Sequence, residues 1–165
     1  MMFQKILKQI NSKNEINFKS KKFSRSFIDK LNLKFDLAYG RLNYSKNFFI
    51  SDDIFQCNGS INLLEEFPLL FFDCSIFSKN KRNFLKKFNI KIKNENKIFS
   101  LKAKGNLSIF NKKINLKHIS LNEDYKASNE DLSYFKEKFE NILFNENFIR
   151  IFNLKKIKKF ILEIS

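Results

Sequence analysis

The chain has 165 residues, with 32 Lys and Arg against 17 Asp and Glu, a net charge of +15, two cysteines and one histidine. That length fits one domain with a real core, two cysteines exclude a disulfide-rich scaffold, and no apolar run is long enough for a membrane-crossing helix. The N-terminus has no apolar stretch with a small-residue cleavage site, so it does not read as a signal peptide.

The basic balance fits an anionic membrane surface or a nucleic acid. Nucleic-acid readers rely on the arginine fork, and only Arg25, Arg41, Arg82 and Arg150 are arginine here. The lysines are scattered rather than clustered. Lys, Asn, Ile and Phe dominate together, as A- and T-rich coding would produce. Composition therefore argues against nucleic acid as the partner, and a lysine-driven nucleic-acid binder stands third among the functional readings.

In chain order, Phe3, Ile6, Leu7 and Ile10 fall at helical spacing and predict a short amphipathic helix. Residues 11–27 are polar, with Ile16 and Phe18 alternating, and predict a short edge strand. Leu31, Leu33, Phe35 and Leu37 alternate as a strand. The apolar parity then moves from odd to even at Ala38, Leu42 and Tyr44, so a bulge or sharp turn is expected near 38–41. Phe48 to Ile50 form another apolar run, ended by Ser51, Asp52 and Asp53.

Two strands follow, Phe55 to Leu64 and Leu69 to Phe77, around Glu65 and Glu66. A hairpin centred there sets Phe55 against Ile76, Cys57 against Cys74, Gly59 against Phe72 and Ile61 against Leu70. An aromatic ring over a strand glycine is a stabilising pair. The facing cysteines read either as two reduced thiols acting as small hydrophobes or as a cross-strand disulfide in an oxidising compartment. Pro68 places the start of the second strand at an edge or unpaired. Leu69 to Phe72 is apolar on both sides, which predicts a strand covered on both faces.

Residues 79–88 read as a short helix, with Phe84, Leu85 and Phe88 on one side, or as a solvated basic loop. Ile90 and Ile92 predict a further strand, turned back at Asn94 to Asn96. Leu101, Ala103, Gly105, Leu107 and Ile109 then alternate with Lys102, Lys104, Asn106 and Ser108. After a turn at Asn111 to Lys113, Ile114 and Leu116 resume that alternation. Past Tyr125 the period changes to 3.6. Ser128 with Asp131 makes a capping box with the shorter acid. Leu132, Phe135, Phe139, Ile142 and Leu143 form the stripe of one helix. Leu154, Ile157, Phe160, Ile161 and Ile164 form the stripe of a second, with Lys155, Lys156, Lys158 and Lys159 off it. The expected fold is mainly β with C-terminal α: a curved, open antiparallel sheet over residues 1–125, with a short N-terminal helix, closed by a helical cap over residues 126–165 of the same domain.

The three glycines, Gly40, Gly59 and Gly105, each sit in a repeated pattern: small residue, any residue, Gly, a polar or charged residue, then apolar residues two and four places on from the Gly. The copies begin at Ala38, Cys57 and Ala103. A glycine inside a strand marks a bend, a bulge or close approach, so the pattern predicts bent strands and a shallow apolar trough. Chemistry is sparse. His118 is the single histidine, on a strand, and the cysteines lack metal-binding spacing. No phosphate loop or nucleophile elbow is present. Asp52, Asp53, Glu65 and Glu66 read as turn residues. A non-enzymatic protein without cofactor or metal is expected.

The stretch Ala103-Lys104-Gly105-Asn106-Leu107-Ser108-Ile109 with Ile114-Asn115-Leu116, and its copy from Cys57 to Leu63, resembles the C-terminal region of AsmA-like envelope proteins, the YhdP and TamB group. The resemblance spans roughly residues 31–121, with the helices at 128–164 as a terminal cap. It implies a long curved sheet whose apolar concave face is a groove for phospholipid acyl chains. It also implies a periplasmic or inner-membrane-associated location. Carried over, the groove residues are Phe55, Cys57, Gly59, Ile61, Leu63, Leu101, Ala103, Gly105, Leu107 and Ile109. Family members are longer and carry an N-terminal membrane anchor, so this chain is expected to be a terminal fragment, a split gene product or a partner piece of such a groove. The implied partner is phospholipid or a membrane surface; the alternative reading is a structural or assembly module that docks by an edge strand onto a larger envelope β-groove protein and binds no lipid.

Overall fold

The computed structural model describes residues 2–20, 28–91, 97–108, 110–122, 124–144, 158–159 and 161–163. Its centre is an open antiparallel sheet of eight strands in simple sequence order. The strands are β1 (Asn11–Lys19), β2 (Lys30–Ala38), β3 (Arg41–Ile50), β4 (Asp53–Asn62), β5 (Leu69–Ser78), β6 (Phe99–Ser108), β7 (Lys113–Leu121) and β8 (Tyr125–Lys126). The helices are α1 (Met2–Gln9), α2 (Lys81–Lys87) and α3 (Asn129–Phe144). Residues 158–159 and 161–163 are helical as well.

The parity change after Leu37 is absorbed by a tight hairpin. Tyr39 and Gly40 both take positive φ, 50° and 77°, as a two-residue turn between twisted strands requires. Leu37 then lies directly opposite Leu42, and the apolar side continues without a flip. Gly40 is therefore a turn glycine and not, as the repeat predicts, a strand glycine. The hairpin around Glu65 and Glu66 has the expected register: Phe55 faces Ile76, Cys57 faces Cys74, Gly59 faces Phe72 and Ile61 faces Leu70. Pro68 immediately precedes β5, where its missing N–H leaves the ladder intact.

Following the register across the sheet gives two unlike faces. One carries Leu33, Phe35, Tyr44, Phe48, Phe55, Phe72, Leu101 and Ile119. The other carries Asn17, Asn32, Asn47, Gln56, Asp73 and Lys104. Phe71, on the second face, is exposed, so β5 is not covered on both sides as its apolar run predicts. Asn106 and Ser108 depart from the wet-face expectation in the other direction, since both are buried; nothing among the described contacts explains Asn106. Facing pairs on the polar side carry ion pairs: Lys104 with Asp73 at 2.7 Å, Lys34 with Glu15 at 3.5 Å and Lys13 with Asp36 at 3.9 Å. All are solvated and each contributes about 0–1 kcal/mol.

The core lies on the apolar face over β4–β7, beneath α2. Phe84 and Leu85 are fully buried. The Phe84 ring meets Phe99, Phe88 and Phe55 at centroid distances of 4.9, 5.3 and 5.9 Å. The stretch 79–88 thus holds a helix, Lys81–Lys87, and a central one. Asn80 caps its start, its side chain accepting from the Asn83 N–H at 3.0 Å. Its end explains why Ile90 is not in a strand. Asn89 takes φ 57°, its N–H donates to the Lys86 carbonyl, and the Ile90 N–H donates to the Leu85 carbonyl. That pairing closes the helix and folds Ile90 back beside Leu85 into the core. Ile92 and the turn at Asn94 to Asn96 lie outside the described residues.

α3 follows its sequence signals. The Ser128 hydroxyl accepts from the Asp131 N–H at 3.2 Å, and the Asp131 carboxylate accepts from the Ser128 N–H at 2.9 Å. The Ser128 amide, the Tyr125 hydroxyl and the Ser128 hydroxyl together hold the Asp131 carboxyl below its ordinary range. Leu132, Phe135, Phe139 and Leu143 pack against the core, and Ile161 from the C-terminal helical residues is buried in it. Leu154, Ile157, Phe160 and Ile164 lie outside the described residues.

Candidate functional site: the apolar face of the sheet

The apolar face is built as a set of rows, each a line of directly opposite residues. One row crosses β2 to β7 as Phe35, Tyr44, Gly59, Phe72, Gly105 and Leu116. Rings alternate with glycines because each ring lies across its neighbour. A Cβ at Gly59 would sit 2.6 Å from the Tyr44 ring and 2.0 Å from the Phe71 carbonyl oxygen. A Cβ at Gly105 would sit 2.9 Å from the Phe72 ring and 2.3 Å from the Asn115 carbonyl oxygen. At Gly105 the pairing also slips: His118 faces Lys104 but Leu116 faces Gly105, so β7 holds an extra residue, Lys117. Such a bulge increases local twist, and the missing side chain lets the β7 backbone approach.

The expected groove residues that lie on β4 and β6 share this one face; Phe55 and Leu101 belong to the core cluster, and Ala103 and Leu107 pack against it. Phe55, Ile61 and Leu101 are buried; Cys57, Gly59, Leu63, Ala103 and Leu107 are half-buried; Gly105 is buried; Ile109 lies outside the described residues. The trough expected at the glycines is filled by Tyr44 and Phe72. Cys57 and Cys74 face each other with Cα atoms 4.0 Å apart and are joined as a disulfide.

The open part of the face lies one step aside, on β1–β3. Ile16 and Phe18 are 52% and 46% exposed. Leu31, Leu33, Phe35, Leu37, Leu42 and Tyr44 are half-buried, and none of them joins the cluster beneath α2. Lys46 stands among them, opposite Leu33 and Cys57, with its ammonium 5.1 Å from the Phe48 ring centre. Burial pushes that ammonium's pKa down. Sequence patterning showed these residues as apolar. It did not separate them from the core, because alternation carries no information about what covers a face.

Asp53 was expected to be a turn residue. Instead it starts β4, buried, and pairs with Lys87 of α2 at 2.6 Å, while Lys87 also donates to the Ile50 carbonyl at 2.8 Å. This clip seats α2 on the sheet. Beside it a cleft of about 480 Å³ is lined by Ser51, Asp52, Ser78, Asn80, Asn83 and Lys86. His118 sits half-buried on β7 opposite Lys104. Among the described residues, no three His, Cys, Asp or Glu side chains cluster as a metal site, and no helix is long and apolar enough to cross a membrane. No protein-family model, no curated protein and no solved structure matches this chain.

Proposed function

We propose that the protein is a non-enzymatic module of a cell envelope whose sheet offers its apolar face to phospholipid acyl chains, as the AsmA-like resemblance implies. The observation that carries this reading is the apolar surface on β1–β3, exposed at Ile16 and Phe18 and half-buried at Leu31, Leu33, Phe35, Leu37, Leu42 and Tyr44, that stands outside the core cluster. A dry face must be covered by something, and each methylene buried against it contributes about 0.8 kcal/mol. Lys46, set among those residues, suits a lipid phosphate as a point charge. The Cys57–Cys74 pair suits an oxidising compartment such as a periplasm.

Native mass spectrometry of gently purified protein, followed by lipid extraction, tests the reading. Phospholipid is expected at defined stoichiometry. It should be lost in Leu33→Asp and kept in Phe71→Asp, which changes the opposite face. Lipid-free protein that takes up none from vesicles, or equal uptake by both variants, rejects it. A second reading, a structural module that extends a larger sheet, is favoured by the exposed edge of β1.

A further inference from the structure

The two edges of the sheet differ. On the β7 side, α3 packs along the strand, and the outward N–H of Ile114 donates to the Glu140 carboxylate at 2.7 Å. On the β1 side, no described element pairs with the outer edge. Every residue of β1 except Ser12 is exposed. Natural edges of this kind are blunted by shortness, proline or a bulge. β1 is nine residues long, without proline, and its register with β2 runs unbroken. Lysine is the remaining blunting device, and here it is half used. Lys13 lies near Asp36, but Lys19 lies directly opposite Lys30, a like-charge pairing that a sheet does not favour.

We propose that a second copy of this chain pairs with β1, antiparallel, about a two-fold axis at Asn17. The argument is the self-complementarity of Glu15-Ile16-Asn17-Phe18-Lys19. In that register Glu15 faces the second copy's Lys19 and Lys19 faces its Glu15, which offsets the Lys19–Lys30 repulsion. On the apolar face Ile16 meets Phe18, and both exposed side chains are covered at once. Asn17 meets Asn17 and continues the amide row Asn17, Asn32, Asn47 and Gln56, in which the Asn32 side chain already donates to Asn17 at 2.5 Å. Three neighbouring registers that keep the apolar faces together are poorer. Centring on Glu15 opposes two carboxylates, centring on Ile16 opposes Lys13 to Lys19, and centring on Asn14 sets Ile16 against Ser12. The paired sheets would also join their open apolar surfaces into one.

The full chain is measured by analytical ultracentrifugation over about 1–100 µM in roughly 0.15 M salt, which screens the repulsion between two basic copies beyond about 8 Å. A dimer is expected. Glu15→Lys and Lys19→Glu should each raise its dissociation constant about tenfold or more, and the double variant should restore it. Asn17→Cys should cross-link between copies on oxidation, whereas Asn14→Cys should not. A monomer throughout overturns the proposal and leaves the edge to a different chain. A dimer indifferent to the single changes, or a double variant as weak as either single one, overturns it as well.

Discussion

The two ends of this sheet are written in the same alternating pattern and end in different states. At the β5–β7 end, seven residues of α2 and one face of α3 cover the apolar side, Phe84 and Phe99 are fully buried, and Glu140 occupies the outward N–H of Ile114. At the β1–β2 end, Ile16 and Phe18 project into solvent and the outer edge carries no described neighbour. Alternation says which side of a strand is apolar. Whether that side becomes core or surface depends on where a helix lands, and here a clip between Lys87 and Asp53 fixes the landing point. The covered end supplies stability, and the uncovered end is where the proposed lipid and second-copy contacts fall.

The sharpest way to break this comparison is to truncate one ring at each end. Phe84→Ala is expected to lower the unfolding free energy by about 3–5 kcal/mol, while Phe35→Ala at the open end lowers it by about 1–2 kcal/mol. Urea unfolding measures both, and equal losses would mean that the β2 face is covered after all. Lys87→Met removes the clip and leaves a buried carboxylate behind. Because Lys87 retains 24% side-chain exposure, the loss is expected near the lower end, about 2–3 kcal/mol. Gly59→Ala forces a Cβ against the Phe71 carbonyl and is expected to destabilise by about 1–3 kcal/mol. A neutral result in thermal unfolding would show that the ring-over-glycine row is loosely packed.

Ser128→Ala should weaken the start of α3 by about 1 kcal/mol, read from the same unfolding curves. The smallest effects come from protonation. Each end holds a carboxyl below its ordinary value. For Glu15 the Asn17 and Asn32 amides lead, with Lys34 adding to them; for Asp131 the Ser128 amide leads. A depressed folded pKa means that the stability is present above the ordinary values, 4.5 and 3.8, and is lost as pH falls through the lowered ones. Wild-type protein should therefore lose stability on acidification from about pH 6 to about pH 3. Glu15→Gln and Asp131→Asn should each flatten part of that loss, and an unchanged pH profile in both would show that these carboxyls do not matter to the fold.

Local chemistry made much of the fold legible. The period-two runs located β2 and β4–β7, the turn residues centred the β4–β5 hairpin and so paired Cys57 with Cys74, and Ser128 with Asp131 marked the start of α3. Where the reading departed from the structure, a nonlocal contact or a backbone closure had intervened. Ile90 looked like a strand residue until Asn89 turned the chain back onto Leu85. Gly40 shared a repeat with Gly59 and Gly105, yet it serves a turn with positive φ. Asp53 looked like punctuation until Lys87 reached it from 34 residues away.

By itself, then, the sequence determined the antiparallel β class, the register of the β4–β5 hairpin, the apolar side of the alternating strands and the cap of α3, because side-chain period, turn chemistry and capping act within a few residues. Only the tertiary structure decided which part of the apolar face is core and which is open, that Tyr44 and Phe72 fill the space above the glycines, and that one sheet edge is covered while the other is bare. Those outcomes depend on which surfaces meet across long separations, and a residue's own pattern does not encode its distant neighbour.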